Sequence, residues 1–212
     1  MILFDLDGTL LDTAPDLALA LNLQRQRYGL EALPLEVIRP YASHGSTGLL
    51  SVGFGLTPKH ADFSAMREEY LNLYDEVFTR SPILFDGVAE LLFAIENQGL
   101  RWGIVTNKPK RFTDPLLKVM QLSHRASCVV SGDDSPRAKP YPDTLFLACE
   151  QAVIAPVDCI YVGDAERDIQ AGIAAGMRTV VALYGYIGSE DEPQAWGADW
   201  MVAQPLEVLA LI

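Results

Sequence analysis

In the second half of the chain, short apolar segments alternate with longer segments of helical periodicity, and no other feature limits the possible folds as strongly. The apolar segments are LRWGIVTN, SCVVSGDD and DCIYVGDA, at residues 100–107, 127–134 and 158–165. Helical segments flank them at residues 87–99, 141–152 and 166–176. Strands that alternate with helices of this length are typical of βαβ units. We therefore predict an α/β fold with a doubly wound, mostly parallel, Rossmann-like sheet, to which ILFDL at the start adds one buried strand.

Residues 15–82 interrupt this alternation. They contain no β-branched strand run, and their apolar side chains recur at helical spacing, as in Met66, Tyr70, Leu73, Tyr74 and Val77. We predict that this segment is a helical cap inserted after the first strand. The expected domains are an α/β core formed by residues 1–14 and 83–212 and a helical cap formed by residues 15–82. The proline and glycine of SPILFDG, residues 81–87, predict a linker at the second joint.

The composition restricts the partners of this chain. Half of its 212 residues are apolar (50%), which is enough for a core domain with a smaller insertion. Its 28 acidic and 16 basic residues give a net charge of −12, which disfavours nucleic acid and anionic membrane surfaces as partners. No apolar run approaches the ~20 residues of a membrane-spanning helix, so we expect a cytoplasmic protein. The cysteines lack metal or redox spacing and are expected to be buried thiols: Cys128, Cys149 and Cys159.

Polar residues follow several of the predicted strands. Parallel α/β sheets bind ligands beyond the carboxyl ends of their strands, so these residues are expected to meet in one crevice. They are Asp5 and Asp7 after the first strand, Thr106 and Asn107 after WGIV, Lys139 in the loop after CVVSG, and Asp164 after IYVG. The crevice would therefore combine carboxylates with a hydroxyl and an ammonium group.

Three of these residues bring negative charges close together. In an extended segment residues i and i+2 face the same side, so Asp5 and Asp7 are expected to project together while Leu6 packs inside. With Asp164 nearby, such carboxylates repel one another by several kcal/mol at an effective dielectric constant of ~20. A hard divalent cation with oxygen ligands removes this repulsion and attracts a phosphate group. The pattern therefore predicts a Mg²⁺ site.

The remaining polar groups suit phosphate oxygens. Lys139 and Thr106 are expected to bind oxygens that face away from the metal, and Gly8 lets backbone N–H groups approach them. Simpler interpretations stay open for each feature alone. DLDGT resembles a polar turn, Thr106 a helix N-cap, and Lys139 a solvated side chain, while Asp164 and Asp168 suit a helix N-terminus. Their joint occurrence at strand ends favours one shared site.

Four motifs together resemble those of the haloacid dehalogenase superfamily of phosphohydrolases. They are DLDGTLLDT at residues 5–13, TNK at 106–108, AKPYPD at 138–143 and GDAERD at 163–168. The insertion is similar to the helical cap of one branch, that of phosphoglycolate phosphatases and N-acetylmuramic acid 6-phosphate phosphatases. The tail YGYIGSEDEPQAWGAD is similar to the latter. The resemblance implies a Mg²⁺-dependent phosphoric monoester hydrolase acting on a small phosphorylated metabolite.

The resemblance also implies a role for each motif residue. Asp5 attacks phosphorus and forms an aspartyl-phosphate, while Asp7 protonates the departing alcohol and then deprotonates water. Mg²⁺ is held by the Asp5 carboxylate, the Asp7 backbone carbonyl and Asp164, with Asp168 supporting from the same loop. An acid at residue 7 disfavours carbon–halogen cleavage, since the dehalogenases of the family lack it. The residues implied to hold the transferring group are Thr106, Asn107 and Lys139.

The cap is expected to recognise the leaving group. SHGSTG, residues 43–48, is a polar segment between helical stretches, and we predict that His44, with Arg39, contacts the substrate. A plain helix–helix turn is the alternative interpretation. Two other functions also stay open, namely a sugar phosphomutase of the same fold and a phospho-accepting signalling module. Receiver modules gather similar residues at strand ends, but their acceptor follows a later strand and they need no helical insertion.

Overall fold

The computed structural model describes residues 1–212. The strands are β1 (Ile2–Phe4), β2 (Leu11–Asp12), β3 (Ile83–Leu84), β4 (Trp102–Val105), β5 (Val129–Val130), β6 (Ile160–Gly163), β7 (Arg178–Ala182) and β8 (Trp200–Val202). The α-helices are α1 (Ala14–Arg27), α2 (Leu35–Ile38), α3 (Gly45–Phe54), α4 (Phe63–Asp75), α5 (Val88–Asn97), α6 (Lys110–Val119), α7 (Asp143–Ala152) and α8 (Glu166–Ala174). Short 3₁₀ helices span Arg39–His44, Pro156–Asp158, Pro193–Ala195 and Pro205–Leu211. None of the helices combines the length and apolar character that crossing a bilayer requires.

Six strands form one parallel sheet in the order β5-β4-β1-β6-β7-β8. β1 lies at the centre, where Ile2 is opposite Trp102 of β4 and Ile160 of β6. From β1 the chain builds the sheet first toward β5 and then toward β8, so the strand order reverses at β1. A crevice therefore opens beyond the carboxyl end of β1. This topology confirms the predicted doubly wound, mostly parallel sheet.

Both faces of the sheet are covered. Ile2 and Phe4 belong to a cluster of 38 buried apolar residues, while Leu3 belongs to a second cluster of 13. Successive strand residues point to opposite faces, which explains this division. The larger cluster continues into the inserted helices through Leu21 and Tyr70, and the smaller one includes the buried apolar side chains of α7 and Ala171 of α8. The carboxyl ends of the central strands are thus fixed from both sides.

Helices α1 to α4 occupy the segment for which we predict a helical cap. Within α4, Met66, Tyr70, Leu73 and Tyr74 are buried at the predicted spacing, and Val77 is buried just beyond its end. These aromatic and aliphatic side chains belong to the larger cluster. The division of the chain at residues 15 and 82 into two domains stays a prediction.

Two short strands lie at the joints of the insertion, where the sequence predicts none. β2 and β3 pair antiparallel, with Leu11 opposite Leu84 and Asp12 opposite Ile83. The segment SPILFDG is therefore not purely a linker, because part of it forms hydrogen bonds with the chain that leaves the sheet. The pair holds the exit and the return of the chain side by side.

Candidate active site

Three carboxylates meet at the carboxyl ends of β1 and β6. Asp5 follows β1 directly, and its backbone N–H still donates to Val162 O at 2.9 Å, which holds it in the sheet. Asp164 follows β6, and Asp168 lies in the first turn of α8. One oxygen from each of the three side chains lies within 4.8 Å of the others, and all three residues are buried. The structure therefore brings Asp5 and Asp164 together and adds Asp168 to the same group.

Glycine at residue 8 makes room for this group. Gly8 has φ +86°, and a Cβ atom there would lie 2.1 Å from Asp164 Oδ2. The Gly8 N–H donates within its own turn to Leu11 O at 3.0 Å. Thr9 Oγ1 donates to the other oxygen of Asp164 at 3.3 Å. The contact that explains Gly8 in this structure is thus its close approach to Asp164, while its part in phosphate binding stays a prediction.

Lys139 is a buried cation beside two of the three carboxylates. Its side chain is fully buried, and Nζ lies 2.9 Å from Asp5 Oδ1 and 2.7 Å from Asp168 Oδ1. Its hydrogen bonds go instead to the Tyr161 hydroxyl at 2.6 Å and to Val105 O at 3.1 Å. The two carboxylate oxygens have no hydrogen-bond partner, so their contact with Lys139 is an ion pair without hydrogen-bond geometry. The nearby guanidinium of Arg167 also interacts with all three carboxylates, so two cations face three acids and one negative charge is left over.

The electrostatics of this group favour a further cation. Burial raises the pKa of Asp5. Burial, together with the nearby charges of Asp168 and Asp5, raises the pKa of Asp164 to about 7. Carboxylate oxygens are the hard ligands that Mg²⁺ prefers, the three acids each offer one within 4.8 Å of the others, and a divalent charge stabilises the ionised form of each acid. The residues present therefore fit a Mg²⁺ ion.

Asp7 lies in different surroundings from Asp5. Its carboxylate accepts hydrogen bonds from Lys108 Nζ at 3.0 and 3.1 Å and from Thr13 Oγ1 at 2.5 Å. Lys108 Nζ also lies 5.0 Å from the centre of the Tyr74 ring. The Asp7 carboxylate is not part of the group of three acids, although Asp5 and Asp7 line the same cavity. The expected metal contact of Asp7 through its backbone carbonyl stays a prediction.

Thr106 and Asn107 lie at the carboxyl end of β4. Both line the cavity, and Thr106 Oγ1 accepts a hydrogen bond from Lys108 N at 3.1 Å. The Asn107 side chain donates to Lys139 O at 2.9 Å and accepts from Lys139 N at 3.0 Å. Asn107 thus fixes the loop that carries Lys139. The Lys139 side chain does not reach the cavity surface, so its predicted contact with phosphate remains untested.

The polar segment at residues 43–48 reaches the carboxylates from the inserted helices. Ser43 Oγ donates to Asp164 Oδ2 at 2.7 Å, and Tyr186 N donates to the same oxygen at 2.9 Å. Arg167 Nη2 in turn donates to Ser43 O at 2.5 Å. His44 lines the cavity beside them, and burial together with the nearby Arg167 lowers its pKa, which leaves the imidazole neutral at pH 7.

Arg39, the other predicted substrate contact, does not reach this cavity. Its guanidinium forms two hydrogen bonds of 2.9 Å with the two oxygens of Asp12 and lies 5.7 Å from the centre of the Tyr186 ring. Asp12 belongs to β2, so Arg39 joins the inserted helices to the joint. The structure therefore gives Arg39 a structural contact, and its contact with the substrate stays a prediction.

The cavity lies between the sheet and the inserted helices and has a volume of about 680 Å³. From the sheet side it is lined by Asp5, Asp7, Thr106 and Asn107, and from the opposite side by the segment 41–48 and by α4. A cavity of this size is typical of small-molecule sites. It gives a small ligand access to the two N-terminal aspartates at once.

Three further residues form side-chain contacts at this site, and the sequence predicts no role for them. Lys108 ends the motif TNK, Arg167 lies inside GDAERD, and Ser43 begins SHGSTG, so each position falls in a motif already singled out. Their contacts join residues that are 101, 124 and 121 positions apart. No periodicity or spacing in the sequence specifies such pairs.

Comparison with known proteins places the chain in the same class as its motifs do. The family model described as haloacid dehalogenase-like hydrolase matches residues 2–182. An N-acetylmuramic acid 6-phosphate phosphatase of Pseudomonas putida is 41% identical over 100% of this chain and 95% of its own length. A phosphoglycolate phosphatase of Xanthomonas campestris is 41% identical over 96% of this chain and 92% of its own length. The crystal structure of a predicted phosphoglycolate phosphatase from Haemophilus somnus has a TM-score of 0.85 at 27% identity and covers 100% of this chain and 96% of that chain.

The parallel sheet, the carboxylate group at its switch point and these matches define one class: the chain belongs to the haloacid dehalogenase-like hydrolase family. Mg²⁺ dependence and an aspartyl-phosphate mechanism are general to this family. The relatives named above are phosphatases, which confirms the predicted assignment to phosphoric monoester hydrolases.

Proposed function

We propose that this protein is a Mg²⁺-dependent phosphatase that hydrolyses a small phosphorylated metabolite through an aspartyl-phosphate on Asp5. The observation that carries the proposal is the group of three buried carboxylates at the switch point of the sheet, whose charge Lys139 and Arg167 offset only in part. Asp5 belongs to this group and also lines the cavity, so a phosphate ester in the cavity can reach it. Asp7 lines the same cavity with separate hydrogen-bond partners.

Carboxylate and backbone carbonyl oxygens of this chain would hold the Mg²⁺ ion. Asp5 and Asp164 supply carboxylates, the Asp7 backbone supplies a carbonyl, and Asp168 supports the group from α8. When bound, Mg²⁺ neutralises the charge of the transferring phosphoryl group and orients it for in-line attack. Lys139 forms ion pairs with Asp5 and Asp168 and so fixes their side chains.

The chemistry then divides between Asp5 and Asp7. An Asp5 carboxylate oxygen bonds to phosphorus as the bond from phosphorus to the ester oxygen breaks, and Asp7 gives that oxygen its proton. Asp7 next takes a proton from a water molecule, whose oxygen attacks the aspartyl-phosphate. Inorganic phosphate leaves, and the Asp5 carboxylate is restored. Lys108 and Thr13 fix the Asp7 side chain at the cavity wall, and Thr106 and Asn107 offer hydrogen bonds to the phosphoryl oxygens.

The substrate is expected to be of the phosphoglycolate or N-acetylmuramic acid 6-phosphate type, as the names of the relatives indicate. Both compounds are carboxylic acids that carry a phosphate ester. A cavity of about 680 Å³ is much larger than phosphoglycolate requires, whereas an amino-sugar phosphate fills a far greater part of it. We therefore favour the amino-sugar phosphate.

The first experiment measures release of inorganic phosphate from N-acetylmuramic acid 6-phosphate and from phosphoglycolate with the purified protein. We expect many turnovers with Mg²⁺, none with a chelator, and recovery when Mg²⁺ is restored. Asp5→Asn should abolish release, whereas Asp75→Asn, at the end of α4 and outside the cavity lining, should leave it unchanged. Turnover that ignores chelation, an isomerised sugar phosphate without free phosphate, or a stable stoichiometric phosphoprotein would each contradict the proposal.

A further inference from the structure

Arg67 is a cavity-lining cation to which the proposed chemistry gives no task. It lies on α4 and forms no ion pair in the structure. Its Nε donates to Ser46 Oγ at 3.0 Å, and its two terminal nitrogens have no hydrogen-bond partner in the protein. In a chain with a net charge of −12, an arginine that lines a cavity and has no ion-pair partner is free to bind an anion.

The other cations of the cavity are already engaged. Lys108 is held by Asp7, and Arg167 donates to Ser43 O. Only Arg67 among the basic side chains that line the cavity therefore keeps the outer edge of its guanidinium free. That edge presents two parallel N–H groups, which match the two oxygens of a carboxylate. A single positive charge also matches the single charge of a carboxylate better than that of a second phosphate.

The segment 43–46 relates Arg67 to the catalytic carboxylates. It begins at Ser43, which contacts Asp164, and ends at Ser46, which contacts Arg67. Three residues span at most about 10 Å, so both contacts lie within the length of one small molecule. Arg67 makes no ion pair with Asp5 or Asp7 and lines the cavity from α4, whereas the two aspartates line it from the end of β1, so we expect Arg67 to meet the alcohol part of the ligand.

We propose that Arg67 binds a carboxylate on the alcohol part of the substrate, so that the enzyme selects phosphorylated carboxylic acids over phosphate esters of uncharged alcohols. This inference rests on the proposed phosphatase function and adds a specificity residue to it. Ser46 positions the guanidinium through Nε and leaves the terminal nitrogens for the ligand.

The test compares two substrates that differ in one substituent, the lactyl ether that carries the carboxylate. N-acetylmuramic acid 6-phosphate carries a lactyl ether acid that N-acetylglucosamine 6-phosphate lacks. The wild-type enzyme should prefer the acid. Arg67→Gln should lower kcat/KM for N-acetylmuramic acid 6-phosphate about tenfold or more, mainly through KM. It should change kcat/KM for N-acetylglucosamine 6-phosphate less than about twofold. Arg67→Lys, which keeps the charge, should recover part of the loss.

A matched control is available on α1. Arg27 is exposed, pairs with Glu69 and does not line the cavity, so Arg27→Gln changes the net charge equally. Arg27→Gln should leave kcat/KM unchanged for both substrates. If Arg67→Gln lowers kcat/KM equally for both substrates, or for neither, the proposed carboxylate contact is wrong. If the wild-type enzyme does not prefer the acid, the inference is wrong as well.

A binding measurement separates this inference from the proposed function. In the Asp5→Asn background, titration calorimetry measures the binding of N-acetylmuramic acid 6-phosphate and of N-acetylglucosamine 6-phosphate, first with Arg67 intact and then with Arg67→Gln added. Tighter binding of the acid, lost with Arg67→Gln, supports the carboxylate contact without any turnover. Equal binding of the two esters overturns it even when the wild-type enzyme releases phosphate. Failure of phosphate release alone counts against the proposed function.

Discussion

At the residue scale, two aspartates separated by one leucine lie in different surroundings, which fit the different tasks that the proposed mechanism gives them. Asp5 lies among carboxylates and beside the buried Lys139. Asp7 lies outside that group and is held by Lys108 and by Thr13. Environment rather than residue type divides acid–base work from covalent work in such pairs. The structure therefore supports Asp5 as the nucleophile and Asp7 as the group that moves protons.

Asp7→Asn should reveal this division when the leaving group is varied. An alkyl phosphate needs a proton on its departing oxygen, so its turnover should fall about 10²–10⁴-fold. p-Nitrophenolate departs without a proton, so Asp5 should still be phosphorylated by p-nitrophenyl phosphate, while hydrolysis of the aspartyl-phosphate is slow. Rapid-mixing absorbance should then show a burst of nitrophenolate that matches the enzyme concentration. Equal losses on both esters without a burst would show that Asp7 is not the acid.

At the scale of elements, the turn after β1 matters because it brings Gly8 against Asp164. Gly8 and Gly29 both have positive φ, +86° and +69°, but a Cβ atom would meet Asp164 at Gly8 and no atom within 4 Å at Gly29. Alanine at either position carries backbone strain of about 1–2 kcal/mol. Gly29→Ala therefore isolates the strain, and the excess effect of Gly8→Ala reports the contact with the carboxylate.

We expect Gly8→Ala to lower the free energy of unfolding by more than Gly29→Ala and to weaken Mg²⁺ binding about 10–100-fold, because Asp164 has to move. Urea denaturation and titration calorimetry with Mg²⁺ measure the two effects. Gly29→Ala should bind Mg²⁺ like the wild-type protein. Unchanged Mg²⁺ affinity in Gly8→Ala would show that Asp164 is not a ligand.

The elements that the sequence predicts are those with their own periodicity. The buried strands β1, β4 and β6 and the helix α4 follow directly from apolar runs and from helical spacing. Strands β2 and β3 have two residues each and show no pattern, since they exist only because the insertion brings them together. The strand-end rule likewise gathers Asp5 and Asp164. It does not give the contacts of Ser43, Lys108 or Arg167, which depend on how separate loops pack.

At the scale of the whole molecule, the inserted helices and the sheet are joined at the group of three carboxylates. Ser43 contacts Asp164, Arg167 contacts Ser43, and Arg39 pairs with Asp12 at the joint. A ligand that binds the carboxylates therefore acts at a point where both parts of the chain meet. We expect Mg²⁺ to stabilise the fold as a whole rather than one loop.

The reactivity of the cysteines can report how much Mg²⁺ stabilises the fold, because none of them lines the cavity and all are buried. Burial raises the pKa of Cys128 to about 11 and that of Cys149 to about 12, so thiolates are scarce in the folded protein at pH 8. Reaction with Ellman's reagent then requires the chain to open. Mg²⁺ at 100 times its Kd stabilises the folded state by about 2.7 kcal/mol, which should slow the reaction about 100-fold.

Asp164→Asn, which should bind Mg²⁺ weakly, provides the control for this experiment, because its thiols should react at a rate that Mg²⁺ does not change. Urea should accelerate the reaction of the wild-type protein in step with unfolding measured by circular dichroism. Rapid reaction of all thiols in the native protein would contradict the packing of the smaller apolar cluster, which contains Cys128, Cys149 and Cys159. A wild-type rate independent of Mg²⁺ would show that the carboxylate group is not coupled to the stability of the whole molecule.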